Sequence, residues 1–79
     1  MEQQPRKRIF GFQKSQDEEV NFMIGMRDGK PFVDIRIFHI QEDGFKLWTN
    51  KGMFLDAERL PDLKEGVDRL MQAVQSKKI

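Results

Sequence analysis

The chain has 79 residues, with 14 Lys and Arg against 13 Asp and Glu, one His, no Cys and a net charge of +1. So short a chain buries only about 60% of the surface its unfolded form exposes, and these counts exclude a disulfide framework, a thiolate zinc site and a multi-histidine centre, so no metal or cofactor is expected and oligomerisation is the stabiliser that remains. They also exclude a diffuse polycation, so any contact with nucleic acid requires positive charge sorted onto one face.

Residues 1–8 read as a basic N-terminal tail ending in Arg6, Lys7 and Arg8, and residues 9–79 as one domain. No apolar run approaches the ~20 residues that cross a bilayer, and no signal-peptide core follows the basic start. A soluble, intracellular protein with no membrane partner is expected. Ile9 to Lys14 alternates loosely as a first strand, and parity puts Arg8, Phe10, Phe12 and Lys14 on one face. After an acidic turn region, Val20 to Arg27 alternates as a second strand. Asp28-Gly29 then marks a tight hairpin, because both residues tolerate positive φ.

Pro31 to Ile40 is the strongest strand signal, with Val33, Ile35 and Ile37 on one face and Phe32, Asp34, Arg36 and Phe38 on the other. Gln41 to Gly44 is a polar turn. Phe45 to Leu55 forms a fourth strand that Gly52 bends or bulges, with Lys46, Trp48 and Asn50 on one face and Lys51 beside the glycine. The connections are too short for parallel crossovers, so an antiparallel meander is predicted.

Asp56 is a candidate N-cap for a helix from Ala57 to about Ser76. Pro61 fits only a first turn, which predicts either a single opening turn ending near Leu60 or a kinked start. Leu60, Leu63, Val67, Leu70 and Val74 form a narrow seam at spacings of three and four. Such a seam covers either the chain's own sheet or a second copy. The small core favours a dimer, with part of the helix on the sheet and part on the partner.

Catalysis has little to work with. Ser15 and Ser76 lie in polar segments, Tyr is absent, and His39 is the only imidazole. Glu18-Glu19 and Glu42-Asp43 sit in turns without apolar surroundings to raise a pKa, and no phosphate-binding glycine motif is present. No catalytic residue is expected. Basic residues interleaved with aromatics are the better signal, since cations track phosphates while rings stack on bases. Phe10 and Phe12 either line such a groove or fill the core. Arg36 is either exposed or paired with Asp34, and Trp48 is either a stacking platform or the largest piece of the core.

Four strings in order, Gly29-Lys30, Val33-Asp34-Ile35-Arg36, Lys51-Gly52-Met53-Phe54-Leu55 and the helix run Leu63-Lys64 through Ala73-Val74, resemble the DNA-binding domain of the positive cofactor four family of transcription coactivators. The resemblance covers about Asn21 to Val74. It implies an α+β fold: a curved four-stranded antiparallel sheet followed by one C-terminal kinked helix, dimeric through the helices. It also implies sequence-tolerant binding of single-stranded DNA, with Lys30, Arg36 and Lys51 at basic contact positions and Lys46 near another. The chain departs from the pattern where Arg27 and Asp28 stand in place of a turn aromatic and His39 in place of a tryptophan. Phe10, Phe12 and Trp48 are the substitutes that parity suggests. The compact form, without a serine- and lysine-rich tail, resembles bacterial or viral relatives.

The sequence therefore predicts a non-catalytic, homodimeric single-stranded DNA-binding protein acting in transcription, replication or recombination. Its expected contacts are Arg8, Phe10, Arg27, Lys30, Arg36, Lys46, Trp48 and Lys51. Transcription or replication proteins are further expected partners. The expected compartment is the cytoplasm of a bacterial or virus-infected cell, or the nucleus in a eukaryote. The alternatives are a module that recruits an acidic protein partner, and an RNA-binding protein.

Overall fold

The computed structural model describes residues 5–77. Strands β1 (Lys7–Ser15), β2 (Glu18–Arg27), β3 (Lys30–Ile40), β4 (Lys46–Leu47) and β5 (Gly52–Asp56) lead into a 3-10 turn (Ala57–Arg59) and helix α1 (Leu60–Gln75). All pairings are antiparallel: β1 with β2, β2 with β3, and β3 with both β4 and β5. The last two strands are one interrupted fourth strand of an open, four-stranded sheet. At the β2–β3 hairpin Asp28 and Gly29 both take positive φ, 51° and 77°, as the Asp-Gly pair predicts.

Sequence expectations need correcting at several places, beginning with Glu18 and Glu19, which were expected in a turn and instead open β2. Lys7 and Arg8, expected in a basic tail, pair with Ile24 and Met23 inside the sheet, and Met1 to Gln4 lie outside the described residues. The fourth strand is broken, not merely bent. Between β4 and β5 the Thr49 hydroxyl donates to the Ile37 carbonyl, while Ile37 N donates to Lys51 O at 2.8 Å. Ile37 keeps both backbone partners without a regular ladder, so the bulge costs β3 little.

A further correction concerns the helix, which does not cover its own sheet. Among the described residues its main packing is against its own opening turn, and none of its residues is buried. Of the two expected starts, the structure has the separate opening turn: the 3-10 turn precedes α1, and Pro61 occupies the first helical turn, where a missing N–H costs nothing. Asp56 precedes that turn as expected but makes no side-chain cap hydrogen bond.

The sheet has two unlike faces. One carries Phe10 opposite Phe22, Phe12 opposite Val20, and Ile35 opposite both Phe22 and Met53. The rings of Phe10 and Phe12 lie 5.7 and 6.2 Å from that of Phe22, yet both residues stay exposed. The other face carries Phe32, Asp34, Arg36 and Phe38 opposite Gly25, Met23, Asn21 and Glu19. Of the buried residues, Phe32, Asp34, Asn21 and Met23 belong to this second face, and Val33 alone to the first.

Candidate nucleic-acid interface

The second face is built around a carboxylate. Asp34, fully enclosed, accepts from Arg36 Nε at 3.0 Å and Nη2 at 3.1 Å, and from Arg6 Nε at 2.8 Å. Two guanidiniums share one buried carboxylate, and these charge-assisted bonds fix both side chains. Arg36 Nη1 also donates to Thr49 O at 3.2 Å, tying the cluster to the bulge.

Rings and cations alternate outward from this centre. The Arg27 guanidinium lies 5.3 Å from the centroid of Phe54, which stacks on Phe32 at 4.7 Å. Arg6 sits 5.1 Å from both Phe32 and Trp48, and Arg36 sits 4.5 Å from Trp48. Phe38 closes the series with an edge contact to Trp48 at 5.6 Å. A cation over an aromatic face contributes about 0.5–2 kcal/mol, so the series is cohesive without a thick core.

Missing β-carbons make room for it. A Cβ on Gly25 would lie 2.5 Å from the Phe32 ring and 2.7 Å from Pro5 O, so glycine lets residues 5 and 6 lie down over the sheet. A Cβ on Gly11 would collide with the Arg8 guanidinium, which instead donates through Nε to Asn21 Oδ1 at 2.6 Å. Asn21 Nδ2 donates to Glu19 at 3.0 Å, and Lys46 Nζ donates to the other oxygen of Glu19 at 2.9 Å. These bonds from Lys46 first, then Asn21, hold the Glu19 carboxyl below its ordinary 4.5. Lys14 does the same for Glu18 through a 2.8 Å bond.

The expected contact residues divide accordingly. Arg8, Arg27, Arg36, Lys46 and Trp48 come together on this face, and exposed Lys30 stands opposite Arg27 at its hairpin end. Arg36 combines the two readings weighed for it, because it pairs with Asp34 and still flanks Trp48. Lys51 is set apart, reaching Glu18 at 3.7 Å. Phe10 is on the opposite face. A register shift between Arg8 and Phe10 makes Ile9 an extra residue, so strict parity across it fails and Phe10 joins Phe12 and Phe22.

Sequence reasoning missed Arg6 and the central position of Asp34. Arg6 was visible only as part of a basic triplet, and Asp34 only as half of a local ion pair. Phe32 and Phe54 were also missed, since their contact joins β3 to β5.

No protein-family model and no curated protein matches the chain. Among solved structures, two crystal forms of BPSL1147, a PC4 homolog from Burkholderia pseudomallei, are similar to it. The tetragonal form gives a TM-score of 0.76 at 24% identity, covering 85% of this chain and 98% of that one. The orthorhombic form gives 0.75 at 24% identity, covering 84% and 89%. The chain therefore has a PC4-like fold, an open antiparallel sheet of four strands with one C-terminal helix, as the sequence resemblance implied.

Proposed function

We propose that this protein is a non-catalytic, sequence-tolerant binder of single-stranded DNA that works as a homodimer. The observation that carries the reading is the alternating series Arg27, Phe54, Phe32, Arg6, Trp48 and Arg36 on one sheet face, with Lys30 beside one end. Cations set beside rings suit a phosphate chain together with its bases, and Phe54 and Trp48 are the more open of the rings. Neither interaction reads base edges, so affinity depends on salt far more than on sequence. Transcription, replication and recombination all expose such strands, and each is a setting for this activity.

Support for the homodimer comes from the bare surfaces. The chain exposes 6655 Å², whereas a compact monomer of its 9.4 kDa mass exposes about 5,000 Å². Phe10 and Phe12 on the sheet, and Leu60, Val67, Leu70 and Val74 on the helix, are exposed apolar residues, and Leu63 is half-exposed beside them. A second copy laying its helix on this sheet covers both surfaces at once.

Trp48 is the only tryptophan and flanks the series, so its fluorescence reports binding directly. Titration with a mixed-sequence single-stranded oligonucleotide at two salt concentrations is expected to show saturable binding. The logarithm of affinity should fall with that of salt by about 0.7 per phosphate held. No binding at low salt refutes the function, and tighter binding of an RNA of the same sequence reassigns the ligand.

A further inference from the structure

Cations on the charged face are not equally available. Arg27 and Lys30 have no carboxylate partner among the described residues. Arg6 and Arg36 share a carboxylate that is fully enclosed, so that pairing is a permanent part of the face. Lys46 differs from both groups. Its side chain is 50% exposed and its ammonium crosses from β4 to Glu19 on β2, whose side chain is 14% exposed. With its lysine half exposed, this ion pair is screened by solvent and holds weakly, and the ammonium regains hydration when the two separate, so Lys46 can exchange partners.

Glu19 is also connected on its other side. One oxygen takes Lys46, and the second takes Asn21, whose own oxygen holds Arg8. A single carboxylate thus compensates Lys46 directly and Arg8 through an amide. An incoming phosphate chain meets cations without an ion pair at the Arg27 and Lys30 end and a paired cation at the Lys46 end.

We infer that Glu19 is an internal counter-ion occupying a phosphate's place at Lys46, and that bound nucleic acid displaces it, so that Glu19 sets how tightly the Lys46 end of the face is engaged. This rests on the proposed function and adds a residue that works against binding. Nothing in the step is covalent: Lys46 exchanges one anionic oxygen for another, and Glu19 turns to solvent.

The test is Glu19→Gln, which keeps an oxygen for Asn21 and removes the charge. The control is Glu42→Gln, the same charge change at an exposed turn residue with no ion pair among the described residues. Glu19→Gln is expected to bind a single-stranded oligonucleotide about two- to fivefold tighter than Glu42→Gln does, the range that one exposed ion pair accounts for. In a Lys46→Ala background the gain should vanish. Equal affinities for the two Gln variants, or a gain that survives Lys46→Ala, would overturn the inference while leaving the proposed function in place. Failure of the wild-type chain to bind at all removes both.

Discussion

Strands β1 to β3 contribute to both faces of the sheet, yet the two faces end up in opposite conditions. On the charged face every buried polar side chain has a partner: Asp34 has two arginines, and Asn21 has Arg8 and Glu19. On the apolar face, among the described residues, the rings of Phe10 and Phe12 contact each other and Phe22, and α1 does not pack on β1. The contrast teaches that burial here does not follow hydrophobicity. Asp34 is fully enclosed while Phe10 is 59% exposed, because long arginine side chains lie flat over the carboxylate and no element among the described residues packs over the phenylalanine. One face is finished within the chain and carries the charge that the proposed function uses. The other is unfinished, and the proposed second copy would cover it.

The sharpest way to break that comparison is at its centre. Asp34→Asn leaves two guanidiniums without their charge partner in an enclosed site, and it is expected to cost about 3–5 kcal/mol. Urea denaturation measures this directly. A loss under 1 kcal/mol would mean that Arg6 and Arg36 are held by the rings and not by the carboxylate.

A smaller effect is expected from the unfinished side. Leu70 is 67% exposed in the protomer, so Leu70→Asp should leave protomer folding intact and raise the dimer dissociation constant by about 30-fold or more, the effect of losing a central interface contact. Sedimentation across a concentration series reads it. If the variant sediments as the wild type does, the helix seam is not the contact, and the bare sheet face needs another cover.

The smallest expected effect is acid sensitivity. Folding lowers the pKa of both Glu18 and Glu19 below the ordinary 4.5. Each therefore contributes stability that is fully present above about pH 4.5 and is lost as pH falls through the lowered folded values. Each carboxylate pairs with a lysine whose side chain is about half exposed, so solvent screening keeps the change slight. Thermal melts between pH 7 and pH 3 should show a shallower acid decline for Glu18→Gln/Glu19→Gln than for the wild type. An unchanged decline would place the acid-sensitive groups elsewhere.

Much of the fold was legible because its signals are local. Asp28-Gly29 specifies its turn through the φ values those residues tolerate, and Pro61 marks a helix start because only a first turn accepts a residue without N–H. The candidate site was legible in kind and less so in membership. Interleaved cations and rings pointed to a candidate face, and the structure gathers most of them on one side of the sheet, yet Phe10 was assigned to it by a parity rule that one extra residue, Ile9, invalidates. No local pattern announces a bulge between two aromatic positions, and none shows that Arg6, 28 positions from Asp34, will bond to it.

The sequence by itself determined the antiparallel meander with its terminal helix, the hairpin at Asp28-Gly29 and the absence of thiol and multi-histidine chemistry, since composition and nearest-neighbour geometry suffice for each. Only the tertiary structure decided which residues share a face, why a balanced total charge still yields a cationic surface, and that the helix leaves its own sheet bare. Those outcomes depend on strand register across bulges and on contacts between distant positions. Such contacts form only when the chain has already brought β1, β3 and β5 together.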